Sequence, residues 1–320
     1  MPTPPPPQHE QKSEEQPYAP GHAASQTQHH EWRTAANSAA HLLRHLPQPT
    51  TTTNPQHPHP PHHHGHHIQL LDVGAGSGTI SASLAQHLAP LGGSVLATDI
   101  SDDILARAAA HAAAVGASAN MAFRRASVRA LPFADGAFDV VHAHQVLCHL
   151  AAPVEAVREM VRVCKGGGGD GGGGGDGGGE GGGGGLVALR ESDLHSWCVW
   201  PETEGLRKFH ALMVATLVAN GGQDRGGRRL LSWVLEAGVD KEDVEAGFGA
   251  WCFSTDGEKR VWGESMISRL RTGQMRDKGL EMGITTVEDI EEMIKAWAEW
   301  IETEGATLGL MNGEVIVKKK

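Results

Sequence analysis

The sequence predicts an α/β protein: an open, mostly parallel sheet with helices on both faces. Three observations carry that expectation. From residue 68 onward, short apolar runs alternate with longer segments of helical periodicity. The first run, IQLLDVG (68–74), is almost continuously apolar, as expected of a strand covered on both faces. It then enters the next helix through a glycine-rich turn, GAGSG (74–78).

Taken in order, residues 1–17 are proline-rich, polar and aperiodic, and read as a disordered tail. RTAANSAAHLLRHL (33–46) puts Ala36, Ala39, Leu43 and Leu46 on one helical face, with Thr34 as N-cap. Prolines and histidines break structure through 47–67. After 68–74 come the helix TISASLAQHLAPL, the strand SVLATDI (94–100) and SDDILARAAAHAAAV, a helix capped by Ser101 with acids in its first turn. MAFRRAS (121–127) and FDVVHAH (138–144) are the third and fourth strands. In 153–164, Val154, Val157, Val161 and Cys164 share a face behind Pro153, a residue suited to a first helical turn. The glycine-dominated run 166–185 cannot bury surface. It reads as a flexible loop, tolerable because closure entropy grows slowly with length.

Beyond it, LVALRES (186–192) is the fifth strand, RRLLSWVLEAGV (228–239) a helix and AGFGAWCFS (246–254) a strand. The helix 285–305 has Thr285 and Glu288 at capping-box spacing and Gly305 to close it. Its apolar stripe is Val287, Ile290, Met293, Ile294, Trp297 and Ile301. GEVIVKK (313–319) reads as a final edge strand.

Composition narrows the function. The low-complexity segments inflate a length of 320 residues, and the roughly 230 residues of ordinary composition outside 1–67 and 166–185 suit one well-buried core. A formal charge of −11 argues against general nucleic-acid affinity, which needs clustered Lys and Arg. No apolar run reaches about 18 residues, so no membrane span is expected. The start, MPTPPPPQHEQKSEEQ, lacks a signal-peptide pattern. Cys148, Cys164, Cys198 and Cys252 lack CxxC spacing, which argues against a disulfide framework or zinc ribbon and fits a reducing, cytoplasmic setting.

The segment that carries chemistry is Asp72-Val73-Gly74-Ala75-Gly76-Ser77-Gly78. Glycines let backbone approach a ligand closely, and the helix start presents free N–H groups. The pattern is GxGxG, with Thr79 where the dinucleotide fingerprint wants its third glycine. Asp72 would repel a pyrophosphate but suits the ammonium of an amino-acid-bearing cofactor. Asp99, ending the second strand, can accept from ribose hydroxyls. Together these disfavour a nicotinamide-dependent oxidoreductase.

LLDVGAGSG, ATDIS, ASVRALPFADGAFDVVHAH and EMVRVCKGGG, in this order and spacing, resemble class I S-adenosylmethionine-dependent methyltransferases. The likeness is to the ubiquinone/menaquinone-biosynthesis type (methyltransferase type 11-like) and its fungal small-molecule relatives. YAPGH (18–22), RTAANSA (33–39), HAHQVLCHL (142–150), WPE (200–202) and AWCF (250–253) look like further landmarks. The resemblance implies a Rossmann-like, mostly parallel seven-stranded sheet with a helical C-terminal cap. It makes 18–320 one domain: a helical lid over 18–46, the loop 47–67, a cofactor-binding core over 68–165, the loop 166–185, and the remaining sheet and substrate cap over 186–320.

It also implies S-adenosyl-L-methionine as cofactor and a small-molecule methyl acceptor. Gly74, Ala75, Gly76 and Gly78 would wrap the methionine and ribose, with Asp72 reaching the amino group. Asp99 would hold the ribose hydroxyls and Ile100 pack on the adenine. Ser127 and Val128 would line the adenine edge, although many relatives carry Asp where Ser127 stands. His144 and Gln145 would lie near the reacting methyl, and His144, then His195 and Glu191, are the candidate bases. The alternative is a non-catalytic module that binds the same cofactor.

His142, His144 and His149 find no carboxylate or cysteine to complete a metal site, and the histidine run 57–67 reads as loop expansion. Trp197, Trp200, Trp233, Trp251 and Trp262 follow residue 190 and offer either an aromatic acceptor pocket or cap packing; Trp297, on the helix stripe, is expected in the core.

Overall fold

A computed structural model describes residues 32–48, 67–167 and 184–320. The tail 1–17, the YAPGH segment, most of 47–67 and most of 166–185, each read above from sequence, lie outside the described residues.

Five parallel strands form one side of the sheet: β1 (Gln69–Val73), β2 (Ser94–Asp99), β3 (Met121–Arg125), β4 (Val140–His144) and β5 (Leu186–Ser192), in the order β3-β2-β1-β4-β5. Antiparallel strands complete it. β8 (Thr307–Lys318) pairs β5 and then β6 (Cys198–Trp200) along one side, and β7 (Val244–Phe253) along the other. The sheet therefore has eight strands. The additional one, β6, spans three residues, too few to show a periodicity. Moreover β8 is interior, not an edge, and starts earlier than GEVIVKK. Gly309, Asn312 and Gly313 hid its first half, because these residues are poor strand formers. Gly313 is needed there: a Cβ would run into the backbone of Gly227.

Helices α3 (Thr79–Leu88) and α4 (Asp102–Ala114) follow β1 and β2, and α5 (Pro153–Val163) follows β4. Their start signals act as expected. The Ser101 hydroxyl accepts the Ile104 N–H, and Pro153 occupies the first turn of α5. One face of the sheet packs on α5 and α7 (Gly226–Glu236) through Val141, Leu189, Met160 and Trp233. The other packs through Leu70, Val95 and Ile316 on Leu84 of α3 and on Leu42.

The segment expected as one helix over 33–46 is two single turns, α1 (Ala35–Ser38) and α2 (Ala40–Leu43), broken at Ala39. Thr34 caps the first turn as expected. A residue far along the chain accompanies the break: Trp251 Nε1 donates to the Asn37 carbonyl at 2.9 Å, engaging a group that a continuous helix would use. The buried face is Ala35, Ser38, Ala39, Leu42 and Leu46, while Ala36 is exposed.

Over the carboxyl end of the sheet lies a cap formed by α6 (Glu204–Ala219), α8 (Asp256–Thr272), α9 (Gln274–Glu281) and α10 (Val287–Glu302). It has its own core, containing Trp251, Phe253, Trp262, Trp297 and Trp300. α10 starts one residue later than Thr285–Glu288 spacing implies: Thr286 and Asp289 form the capping box, and Thr285 is buried. Both pairs suit the motif, and burial of Thr285 selects the register. Val287 is then exposed, and Trp300 joins the buried stripe.

Candidate active site

The turn after β1 is built for close approach. Gly74, Gly76 and Gly78 all have positive φ, at 66°, 56° and 74°. Their surroundings differ. A Cβ on Gly74 would meet Val146 at 2.5 Å, and one on Gly78 would meet Ala108 of α4 at 2.6 Å. Around Gly76 nothing lies within 4 Å. Gly78 is thus a helix-packing residue outside the cavity wall, and Gly76 is the one whose backbone faces open space.

That space is a cavity of about 1200 Å³, counted out to its open mouth. Asp72, Gly74, Ala75, Gly76, Asp99 and Ile100 line it from the β1 and β2 ends, with Val128, His144 and Gln145 from beyond β3 and β4. The structure therefore brings together nine of the eleven residues expected to meet the cofactor. Ser127 is the second exception, besides Gly78. It bridges to Ala130 in a tight turn and its hydroxyl accepts the Arg129 N–H, so Ala126 and Val128 form the wall instead.

The Asp99 carboxylate is fixed at the mouth by N–H groups of Gly76 (3.1 Å) and Ser101 (3.2 Å). Asp72 is buried, and both its oxygens are engaged, one by the Ser81 hydroxyl and one by the His142 ring at 2.7 Å. His144 is buried with no hydrogen-bond partner for either ring nitrogen among the described residues. Burial, then the positive charges of Arg33 and Arg190, hold its pKa well below the ordinary histidine value, so it presents a neutral ring.

Gln145 has φ of +54°, a conformation uncommon outside glycine, at the point where β4 opens into the cavity. Its carbonyl oxygen accepts from Arg33 Nη2 at 2.6 Å and its amide donates to Asn312 at 3.2 Å. The N-terminal segment is thereby tied to the sheet. Trp32 reinforces the tie, packing edge-on against Trp251 at 5.5 Å.

The other two proposed bases lie elsewhere. Glu191 is fully buried and accepts the N–H groups of Val146, Leu147 and Cys148, at 2.9, 2.8 and 3.1 Å. Burial outweighs these bonds and pushes its carboxyl up to about 7. It braces the loop after β4 and is not part of the cavity wall. His195 is paired with Asp224 at 2.7 Å and is likewise not part of that wall. Among the described residues, no group of three His, Cys, Asp or Glu is placed to hold a metal ion, and no helix is long and apolar enough to cross a membrane.

A second cavity, about 800 Å³, adjoins the first and shares Arg33, Gln145 and His149 with it. Trp197, Trp251, Trp262, Met213, Met266 and Leu310 make most of its apolar wall. Sequence reasoning had no role for Arg33. Its signal was only its place in the RTAANSA segment. Of the tryptophans, Trp197, Trp251 and Trp262 line this cavity, the last two from within the cap's core, whereas Trp233, Trp297 and Trp300 are packed in the core without reaching it.

Residues 71–169 match the methyltransferase domain family. The chain carries a methyltransferase domain of the S-adenosylmethionine-dependent kind. Over 302 residues it is 26% identical to an uncharacterized methyltransferase of Schizosaccharomyces pombe, covering 91% of this chain and 92% of that one. A ubiquinone/menaquinone biosynthesis C-methyltransferase of Pseudomonas putida is 35% identical over 100 residues, 31% of this chain and 39% of its own. Among solved structures, a phosphoethanolamine N-methyltransferase of Haemonchus contortus matches with a TM-score of 0.47 and 15% identity, over 88% of this chain and 52% of the other.

The donor set fits this cofactor. An acid fixed at the end of β2, a slot walled by Ile100, Ile104, Ala126 and Val128, and an open glycine backbone offer a ribose partner, an adenine sleeve and room for the amino-acid arm.

Proposed function

We propose that the enzyme methylates an apolar small molecule bound in the second cavity, with the cofactor in the first. The observation that carries this reading is that the two cavities share a wall made of Arg33, Gln145 and His149. S-adenosylmethionine supplies an electrophilic methyl on a sulfonium, transferred by in-line displacement to a nucleophile on the acceptor.

In this reading Asp99 holds the ribose hydroxyls, Ile100 and Val128 flank the adenine, and Asp72 orients the amino group from below. Gly74, Ala75 and Gly76 shape the arm's path. Gln145 and Arg33 position the two ligands against each other, and Trp251 and Trp262 exclude water from the acceptor. His144 borders the reacting region as a neutral ring and accepts a hydrogen bond there. The partial match to a ubiquinone/menaquinone biosynthesis C-methyltransferase supports a small-molecule acceptor.

Calorimetry tests the assignment of the first cavity. S-adenosylmethionine and S-adenosylhomocysteine should bind the purified protein, and NADH should not. Binding of NADH with neither sulfur compound bound would overturn the reading.

A further inference from the structure

The turn after β4 forms part of the wall that both cavities share. Gln145 and His149 line both, Val146 the first and Cys148 the second. Val146 also occupies the space that a Cβ on Gly74 would need, so it abuts the glycine turn directly. The main-chain N–H groups of Val146, Leu147 and Cys148 all converge on one side chain of the neighbouring strand, Glu191.

Three converging donors suit a carboxylate best when it is ionised. Both oxygens are then acceptors, and bonds to a charged acceptor are about twice as strong as neutral ones. A proton turns one oxygen into a donor and weakens the set. Burial raises the Glu191 carboxyl to about 7, so both forms are populated near neutral pH. Resting on the assignment of the first cavity to the cofactor, we propose that Glu191 is a positioning residue. Its charge holds the turn after β4 in the shape that the cofactor binds, and its protonation releases that turn.

The groups around Glu191 stay in one charge state near neutral pH. Cys148 packs against it; burial, then the Glu191 charge, pushes that thiol well up, so it remains uncharged. His149 on the same turn is neutral, its pKa brought down to about 4 chiefly by burial. On its own strand, Arg190 is bonded to Glu314, and Asp193 is bound by Arg228. Gly313 stands opposite on β8, and α7 approaches through Gly226 and Gly227.

Calorimetry with S-adenosylhomocysteine between pH 6 and 8 tests this. The ionised fraction of a group titrating at about 7 rises from about one-tenth to about nine-tenths, so wild-type affinity should increase up to about tenfold. Binding at pH 7 should release part of a proton, read from titrations in two buffers of different ionisation enthalpy. It should also remove a buried carboxylic-acid band from the infrared difference spectrum. Glu191→Gln, uncharged at every pH and with an amide N–H facing Cys148, should bind with the wild-type affinity of pH 6 and show no slope. The infrared band needs no substitution and decides the matter if that variant does not fold. A flat or falling wild-type profile, a slope that survives in Glu191→Gln, or no loss of the band overturns the proposal. With S-adenosylhomocysteine still bound, each of these leaves the cavity assignment standing; wild-type protein that binds it at no pH removes both.

Discussion

The Asp72 carboxylate meets the His142 ring at 2.7 Å across adjacent parallel strands, with both side chains buried beneath the cofactor turn. The Ser81 hydroxyl holds the other carboxylate oxygen. Asp72 is therefore both a wall of the cavity and a fixed part of the sheet. Such an acid can orient a ligand ammonium without moving, because its own position is already determined from below.

Asp72→Asn should weaken S-adenosylhomocysteine binding at least tenfold and leave 5′-methylthioadenosine, which lacks the ammonium, nearly unaffected. Parallel titrations of the two ligands check this. An equal loss for both would mean that the substitution merely disturbs the fold.

Asp99 accepts from Gly76 and Ser101 and, in the proposed complex, from the ribose. Asp99→Ala should weaken S-adenosylhomocysteine by at least tenfold in calorimetry. Unchanged affinity would refute its assignment.

Two glycines of one turn should behave differently. At either position an alanine must adopt a left-handed conformation, costing about 1 kcal/mol. Gly78→Ala also drives a methyl into Ala108, and should cost about 3 kcal/mol of stability in all. Gly76→Ala should cost little stability yet weaken cofactor binding, because its methyl enters the open cavity. Thermal melts paired with titrations separate the two effects.

Acid should unfold the protein early. His41, His144 and His149 are all buried with lowered pKa values, His41 at about 3, chiefly through burial. A group with a depressed folded pKa contributes stability that is present above the unfolded value and lost as pH falls below it, by ~1.4 kcal/mol per pH unit per histidine. Glu191 acts oppositely: its pKa is raised, so its contribution is lost as pH rises through about 7. Three histidines outweigh one carboxyl. Urea melts should show stability falling below about pH 6.5, a range set by the ordinary histidine value. His41→Leu should make that slope shallower, since neither ring nitrogen of His41 has a hydrogen-bond partner among the described residues.

Local signals were enough for the parallel half of the fold. Apolar runs, the Ser101 cap and Pro153 act within a few residues of themselves, and β1 to β5 lie close to where periodicity put them. What escaped depends on distant partners. The break at Ala39 accompanies the bond from Trp251, the register of α10 needs the burial of Thr285, and the length of β8 needs β7 beside it. The site divides the same way. The turn after β1 and Asp99 were legible because the chemistry of each is contained in its own strand–turn–helix unit. Arg33 was not, because its role arises only where Gln145 and Trp251 converge on it. Gly78 and Ser127 were assigned by their neighbours in sequence, and the chain turns both away from the cavity.

In the proposed reaction a methyl group passes from cofactor to a small acceptor across the wall formed by Arg33, Gln145 and His149. Mass spectrometry of a metabolite extract incubated with the protein and methyl-labelled S-adenosylmethionine tests it most directly. A labelled small molecule should appear together with an equal amount of S-adenosylhomocysteine. Tight cofactor binding with no labelled product and no S-adenosylhomocysteine released would contradict it and favour a module that binds the cofactor without using it.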